Sequence, residues 1–488
     1  MPADTVLVVD AGTSALRAIA VRADGRVTPV AAELWPMFIP SDAAPFGREF
    51  DRAETGRALE RILAAASPMR GSVAAIAFTG QREGIAFVDE AGDALFASPN
   101  IDARASAEGI AIDAGHADEV YAVTGHLPSL MQAPAKLAWL RTHRPDTAAR
   151  VAHVLPLADW LAMILTGIPR ISRSLAAENG LLDVTTGEAP SALLSRLDLP
   201  PALVPPVRSD GSIVGEVRSG AFAGAPVVLA GADTQCSLIG MGATGDGATA
   251  VPAGWSAPLQ LVTSRPIMDR EKRTWTGVHV VPDRWILESN AGETGRAWDW
   301  ICTMMGLQPA DAADLAAAAP AGAGDALAVL GARAMRASAM NAGVGGITLP
   351  LPLVMSAPDR GAVLRSVLEA IAYSVRANLE QLEEVSGAAI GSLAVGGGMS
   401  RSGFFTQIVA DVVDRRVEVA ASPETSALGA AVLAASAAGL HASPAAALAA
   451  MTAGGSSRSP NARTSAGYDD YYARWCAMSD QFEGMVGA

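Results

Sequence analysis

Two aspartates in this chain follow apolar runs that read as buried strands. Asp10 comes directly after residues 6–9, and Asp233 comes just after residues 227–230. A carboxylate at the end of a covered strand projects beyond the sheet edge, where it can bind a cation or take a proton from a substrate. For Asp10 the sequence favours this interpretation over a simple hairpin. Asp233 taken alone is better explained as the N-cap of the following helix.

Two glycine-containing turns could hold a phosphate group. Gly12, Thr13 and Ser14 follow Asp10, and the triple glycine 396–398 leads into an amphipathic helix. Backbone N–H groups in such turns approach anions closely, and hydroxyl or guanidinium groups add further donors. A single glycine cluster is weak evidence, but the triple glycine becomes more specific because Arg401, Ser402, the amphipathic helix and the segment 424–431 follow it.

Two polar loops offer groups for a hydroxyl-rich ligand. Gln81, Arg82 and Glu83 lie between two predicted strands, and Asp102 lies in the second loop, 100–104. Alternating donors and acceptors suit a polyhydroxylated molecule, because each hydroxyl both donates and accepts. Taken alone, each loop is explained better as a solvated segment with local ion pairs.

The elements that must position these groups alternate between strand and helix along the whole chain. The apolar runs and amphipathic segments of the first half are followed by the glycine-rich stretch 240–247, after which a similar order is repeated. Such alternation predicts an α/β fold. We therefore predict two domains, residues 1–245 and 246–488, with a cleft between them that the stretch 240–247 allows to close.

Composition narrows the class of partner. The 36 Lys plus Arg against 50 Asp plus Glu give a formal net charge of −14, which disfavours nucleic acid and anionic membranes. The three cysteines are far apart and the histidines lack metal-ligand spacing, with His126 expected at the surface or in a turn. The N-terminus lacks a secretion signal, and polar residues and a proline interrupt the apolar tract 430–453. We expect a cytoplasmic protein that acts on a small molecule.

Taken together, four segments resemble the FGGY carbohydrate kinases, which are ATP-dependent sugar and polyol kinases such as xylulokinase and glycerol kinase. They are residues 10–17, 80–84, 231–233 and 396–431, and the resemblance extends over nearly the whole chain. It implies two actin-like, ribonuclease-H-like domains flanking a cleft, the first binding the sugar and the second ATP. It also implies Mg²⁺ as cofactor and a homodimer as one oligomeric form.

The resemblance implies a role for each residue singled out. Asp233 would be the general base, Asp10 and Asp233 would hold Mg²⁺, and Arg17 would act with them on the transferred phosphoryl group. The residues implied for the sugar are Gln81, Arg82, Glu83, Asp102 and Asp233. Those implied for ATP are Gly12, Thr13, Ser14, Gly254, Ser256, Gly292, Gly295, Gly397, Gly398, Gln407 and Asp411.

Departures from the family pattern leave the substrate open. Trp255 stands where many members have a hydroxyl residue in the second phosphate turn, and Asn100 replaces a usual tryptophan. One interpretation is a xylulokinase-like enzyme. The segments 82–85 and 100–104 look more like those of kinases for the quorum-sensing autoinducer-2, dihydroxypentanedione. A paralogue that binds sugar or nucleotide without turnover is a further alternative, and a chaperone or filament ATPase fits residues 81–83 poorly.

Overall fold

The computed structural model describes residues 3–254, 256–292, 294–338, 344–351 and 358–486. Strands and helices alternate through both halves of this part of the chain, which confirms the predicted α/β class. The strands of the first half are β1 (Thr5–Ala11), β2 (Ala15–Arg22), β3 (Val27–Leu34), β4 (Met37–Phe38), β5 (Glu49–Phe50), β6 (Val73–Gly80), β7 (Ile85–Val88), β8 (Ala94–Ser98), β9 (His153–Pro156), β10 (Ile171–Ser172), β11 (Val207–Arg208), β12 (Ser212–Glu216) and β13 (Pro226–Ala232). Its helices are α1 (Arg52–Ala66), α2 (Ser106–Thr124), α3 (Ala133–His143), α4 (Pro145–Ala148), α5 (Leu157–Thr166), α6 (Arg173–Glu178), α7 (Ser191–Arg196) and α8 (Asp233–Gly240).

The second half repeats this composition with longer helices. Its strands are β14 (Thr249–Pro252), β15 (Pro258–Thr263), β16 (Trp275–Val278), β17 (Trp285–Asn290), β18 (Leu327–Val329), β19 (Gly346–Thr348), β20 (Ser392–Gly396), β21 (Arg416–Val419) and β22 (Ser456–Arg458). Its helices are α9 (Thr294–Met304), α10 (Pro309–Ala318), α11 (Arg360–Ser386), α12 (Gly403–Val413), α13 (Thr425–Ala437), α14 (Pro444–Met451) and α15 (Ala462–Val486).

The two main sheets share the order of six strands. Among the described residues, the first sheet runs β3-β2-β1-β6-β13-β12. The second runs β17-β15-β14-β20-β21-β22 and has one further strand, β16, at the edge beside β17. In each, an antiparallel meander (β1-β2-β3 or β14-β15-β17) is followed by two parallel strands (β6 and β13, or β20 and β21). The repeated order shows that one architecture occurs twice.

Strand β1 is buried along its whole length because both faces of the first sheet are covered. Leu7 and Val9 pack in the cluster that contains residues of α1 and α5, whereas Val6 and Val8 pack in the cluster that contains residues of α13. Alternate side chains of a strand point to opposite faces, so a continuous apolar run is what two covered faces require.

Helix α13 belongs to the second half of the sequence but covers the first sheet, where it also packs against α8. The two helices approach closely through glycine. A Cβ on Gly429 would lie 1.8 Å from the carbonyl oxygen of Cys236, and one on Gly240 would lie 2.1 Å from that of Thr425. The strands of the two main sheets lie on opposite sides of the predicted division near residue 245. Helix α13 follows this division in sequence but packs on the first sheet.

The last segment of the chain differs from the prediction. The sequence predicts an exposed loop over residues 454–467, whereas α15 already begins at Ala462 and β22 pairs antiparallel with β21. The residues of β22 are polar and lie at the edge of the sheet, where the apolar alternation that reveals a strand is not required. No helix in the described ranges is long and apolar enough to span a membrane.

We expect Gly429→Ala to lower the free energy of unfolding by about 2 kcal/mol, since the added methyl group must push α13 away from α8. Urea denaturation measures this change. Gly467→Ala is the matched control, because Gly467 is also helical but has open space around it. The free energy of unfolding of the Gly467→Ala variant should rise by up to about 1 kcal/mol, because alanine favours a helix more than glycine does. Equal stability of the two variants would show that the close approach of α8 and α13 is not needed.

Candidate active site

Asp10 is held by a guanidinium that bridges the two halves of the chain. Arg17 lies opposite Asp10 in the β1–β2 pair, with its Nη2 2.5 Å from Asp10 Oδ2 and its Nη1 2.7 Å from Glu424 Oε2. Glu424 immediately precedes α13. Asp10 Oδ1 is buried and has no hydrogen-bond partner among the described residues. One carboxylate oxygen is therefore fixed, and the other is available to a cation.

The turn after Asp10 is tied to the second polar loop. The Gly12 carbonyl accepts a hydrogen bond from Gln81 Nε2 at 3.1 Å, and the Thr13 hydroxyl accepts one from Asn100 Nδ2 at 3.2 Å. Gln81 Oε1 in turn accepts from the backbone N–H of Asn100. Ser14 is exposed on the same turn. Gln81 thus joins the turn to residue 100.

Asp233 is the first residue of α8 and follows β13 directly. Ala232 occupies the N-cap position and caps nothing with its side chain, while Asp233 Oδ1 accepts from the adjacent N–H of Thr234 at 2.7 Å. The explanation of Asp233 as an N-cap is therefore wrong. Burial, and then the negative charge of Asp10, raises the pKa of Asp233 to about 7.

The parallel strands explain why these two aspartates meet. Strand β6 lies between β1 and β13, with Asp10 opposite Thr79 and Ala232 opposite Gly80. The carboxyl ends of parallel strands share one sheet edge, so both carboxylates come to the same place although 223 residues separate them in sequence (233 − 10).

Arg82 is buried in an ion-pair network that includes residues from both halves. Its Nη1 and Nη2 lie 2.6 and 3.0 Å from the two carboxylate oxygens of Glu288, and Nη1 lies 3.5 Å from Glu178 Oε2. The guanidinium also lies over the ring of Trp275, 5.4 Å from its centroid. The sequence predicts Arg82 as a sugar-binding residue; the structure adds that Glu178 and Glu288 already bind it.

His126 belongs to the same network. It lies in the loop after α2, but of the two expected places, surface or turn, the surface is wrong. The side chain is buried, with Nε2 3.3 Å from Glu178 Oε2 and Nδ1 2.8 Å from the Thr124 carbonyl. Burial opposes protonation, but the Glu178 carboxylate, the Thr124 carbonyl and the charge of Glu83 together outweigh it and raise the pKa of His126 above its ordinary value. Gln235 donates a further hydrogen bond to Glu178.

Glu83 adopts a left-handed backbone conformation, with a φ of 55°. The buried ammonium group of Lys136 donates to the Glu83 carbonyl at 2.8 Å and so holds this turn. Burial raises the pKa of Glu83 to about 7 and lowers that of Lys136 to about 8. Glu83 is partly exposed, unlike Arg82 beside it.

Asp102 binds Arg104 and the backbone of Arg48, which are not part of the Arg82 network. Both of its carboxylate oxygens accept from Arg104 Nε at 2.9 Å, and Oδ1 also accepts from the backbone N–H of Arg48. The side chain is fully buried. In this structure Asp102 joins the segments around residues 48 and 104, and its predicted contact with a sugar stays a prediction.

Three predicted ATP residues line one cavity of about 690 Å³ in the second half. They are Gly254, Gly295 and Gly398, and the Gly295 N–H donates to the Gly254 carbonyl at 3.2 Å. Apolar side chains, among them Trp298 and Phe405, complete a wall suited to a flat ring. Trp255, between Gly254 and Ser256, lies outside the described residues.

The remaining glycines of this group shape neighbouring turns. Gly397 has a φ of 82°, and a Cβ there would lie 2.7 Å from the Ala253 carbonyl oxygen, so the two turns can meet only with glycine at this position. Ser256 accepts from the Gly254 N–H through its carbonyl. Gly292 lines a second, smaller cavity of about 270 Å³.

Gln407 and Asp411 do not line the larger cavity. Gln407 Nε2 donates to Asp411 Oδ1 at 2.8 Å and to the Ser459 carbonyl at 3.0 Å. Asp411 Oδ1 also accepts from the N–H of Asn461 at 2.8 Å. The structure therefore shows these two side chains holding the loop that follows α14.

The described residues contain no group of three or more His, Cys, Asp and Glu side chains placed to hold a metal ion. Mg²⁺ at a phosphate site commonly needs only one or two carboxylates, with water and phosphate oxygens as its other ligands. Asp10, whose Oδ1 lacks a partner, and the neighbouring Asp233 provide that donor set.

Comparison with known families decides the class. The profile of the N-terminal domain of the FGGY family of carbohydrate kinases matches residues 5–240, and that of the C-terminal domain matches residues 251–438. The chain belongs to the FGGY family of carbohydrate kinases. Members of this family are phosphotransferases, and the enzyme class predicted from the sequence is confirmed.

Individual relatives agree with this assignment. The chain is 30% identical over 464 residues to an autoinducer-2 kinase of Klebsiella pneumoniae subsp. pneumoniae, covering 89% of this chain and 86% of that one. It is 29% identical to an autoinducer-2 kinase of Yersinia pestis over 466 residues, covering 90% and 87%.

Solved structures share the fold. A xylulose kinase from Lactobacillus acidophilus has a TM-score of 0.88 at 18% identity, with 100% of both chains covered. A xylulose kinase from Rhodospirillum rubrum has a TM-score of 0.83 at 25% identity, covering 99% of this chain and 100% of that one. Together with the repeated sheets, these matches confirm the two-domain, actin-like architecture.

We expect Arg82→Ala in this FGGY kinase to lower the free energy of unfolding by about 3 kcal/mol, because it leaves Glu288 and Glu178 buried without their cation. Urea denaturation monitors the loss. The control is Arg57→Ala, which removes an exposed pair with Glu54 and should leave the urea midpoint nearly unchanged. If both variants unfold at the same urea concentration, the Arg82 network does not stabilise the fold.

Proposed function

We propose that this FGGY kinase transfers the terminal phosphoryl group of ATP to a hydroxyl group of a small linear ketose or polyol, with Asp233 as the general base. The observation that carries the proposal is the Asp233 carboxylate, which lies beside Asp10 at one sheet edge and has a pKa raised to about 7. A base with a pKa near neutrality can both accept a proton and release it again during turnover.

Phosphoryl transfer requires positioning and neutralisation of charge more than covalent chemistry. In the proposed arrangement, Asp233 orients the attacking hydroxyl and accepts its proton, while the N–H groups of residues 12–14 face the phosphate side. Arg17 orients Asp10 through its 2.5 Å ion pair. The cavity at Gly254, Gly295 and Gly398 would hold the nucleoside.

Asp10 and Asp233 would hold Mg²⁺, since the free Asp10 Oδ1 is a buried oxygen that otherwise lacks a partner. When bound, Mg²⁺ neutralises the charge of the phosphate oxygens. The negative charge of Asp10 also raises the pKa of Asp233, so the pair carries repulsion that a cation relieves.

Relatives named autoinducer-2 kinases match about nine-tenths of the chain, and this supports dihydroxypentanedione, or a compound like it, as the acceptor. D-Xylulose is the second candidate, supported by the solved xylulose kinase at 25% identity. A coupled assay of ADP formation with Mg²⁺–ATP and each compound in turn tests the proposal. We expect ADP to form only when a small ketose or polyol is present, and fastest with one of these two acceptors. ADP formation at the same rate without any acceptor would contradict it.

We expect Asp233→Asn to lower kcat about 1,000-fold, because the amide cannot accept the hydroxyl proton. Affinity for ATP, measured by equilibrium titration, should remain close to that of the unmodified enzyme. Asp470→Asn, at an exposed position on α15, is the matched control and should keep full activity. An Asp233→Asn variant with more than about a tenth of the normal rate would exclude this side chain as the base.

We expect kcat/KM for the acceptor to fall as the pH is lowered below about 7, because the pKa of Asp233 is raised to about 7 and the protonated acid is inactive as a base. Added Mg²⁺ favours the ionised carboxylate of Asp233 and should therefore move the fall in kcat/KM to lower pH. Initial rates across a buffer series at several Mg²⁺ concentrations measure both effects. A rate that rises with acidity would contradict the assignment.

A further inference from the structure

Five carboxylates surround the acceptor side of the candidate site. The five are Asp10, Asp233, Glu83, Glu178 and Glu288: the negative charges of Asp10 and Glu83 contribute to the raised pKa of Asp233, and those of Glu178 and Glu288 contribute to the raised pKa of Glu83. Glu178 and Glu288 are fully buried, so water does not screen them as it would at the surface. The region presents a concentration of negative charge to any ligand that enters it.

The cations in this region already have partners. Both terminal nitrogens of Arg82 bind Glu288, and one also lies near Glu178; only 8% of the residue is exposed. His126 binds Glu178 and a backbone carbonyl, and Lys136 donates to the Glu83 carbonyl. A ligand carboxylate would have to break one of these contacts to gain a cation of its own.

We propose that Glu288 and Glu178 are specificity-determining residues that neutralise Arg82 and so restrict the acceptor to uncharged ketoses and polyols, excluding sugar acids. Hydroxyl groups can donate to the surrounding carboxylates, whereas a sugar carboxylate meets these like charges and cations that already have partners. Discrimination of this kind works through repulsion of the wrong substrate. The inference rests on the proposed function, because it assigns the substrate class of the same site.

Glu288, one of the two carboxylates that neutralise Arg82, comes from the second half of the chain. It lies on β17, where Gln260 of β15 donates to its Oε2 at 2.7 Å. Arg82 and Glu178 lie in the first half, on the loop before β7 and at the end of α6. The two halves together therefore set the charge of the acceptor side.

The experiment compares acids with neutral compounds of the same carbon skeleton: D-gluconate with D-sorbitol, and D-xylonate with xylitol. ADP formation gives kcat/KM, and quenching of tryptophan fluorescence gives equilibrium binding, since Trp275 lies beneath the Arg82 guanidinium. We expect the neutral member of a pair to be preferred by about tenfold or more. Glu288→Gln should shift this ratio about tenfold toward the acid by freeing the Arg82 charge.

Glu178→Gln is the second variant and should shift the ratio in the same direction by less, because its oxygen lies farther from Arg82. It also keeps the test decisive if Glu288→Gln fails to fold. Glu60→Gln, which removes an exposed carboxylate from α1, is the control for net charge and should leave the ratio unchanged.

Three results would overturn the inference: an unmodified enzyme that binds acids as well as neutral compounds, a ratio unchanged in both variants, or no binding of either class. Turnover of the acids in preference to the neutral compounds would overturn it and leave the kinase proposal intact. Selective binding of neutral compounds without ADP formation would support the inference and contradict the kinase proposal.

Discussion

The close contact between α8 and α13 is the constraint on which the rest of the site depends. Gly429 and Gly240 let the two helices approach until backbone meets backbone, and this contact fixes a second-half helix on the first-half sheet. Asp233 begins α8, and Glu424 immediately precedes α13. The same contact therefore places Glu424 against Arg17, and Arg17 in turn fixes Asp10.

Buried charge accounts for the chemical character of the site. Two arginines of the site are balanced by specific carboxylates: Arg17 by Asp10 and Glu424, and Arg82 by Glu288 and Glu178. Among the described residues Asp233 has no such ion pair, so burial and the charge of Asp10 raise its pKa toward neutrality. The proposed base thus differs from Asp10, which has Arg17 as its partner, and resembles Glu83, whose pKa burial also raises to about 7.

The sequence was sufficient for the groups that local pattern reveals. An apolar run followed by a carboxylate indicated Asp10, and alternating elements indicated the α/β class, because strand period and turn residues are local properties. For Asp233 the same local pattern favoured an N-cap, and only the family resemblance indicated a role in the site. The partners of Arg82 could not be found in this way. Glu288 lies 206 residues from it on an ordinary strand, and its charge has meaning only once β17 is placed opposite the loop.

The sequence also could not predict which way the side chains of Gln407, Asp411 and His126 point. Gln407 and Asp411 occupy the predicted helix, yet they bind the loop around Ser459 instead of lining the cavity, because the loop offers backbone groups that need partners. Nothing in the sequence around His126 indicated that it is buried. Its partner Glu178 is 52 residues away in sequence (178 − 126). Such pairings depend on tertiary packing, which no local motif records.

A crystal structure with Mg²⁺, a non-hydrolysable ATP analogue and a neutral acceptor would test the central claim most directly. We expect the nucleoside in the cavity at Gly254, Gly295 and Gly398, and an acceptor hydroxyl within about 3 Å of the Asp233 carboxylate. Nucleotide bound instead in the separate cavity beside Trp300 and Val367, or an acceptor out of reach of Asp233, would contradict it.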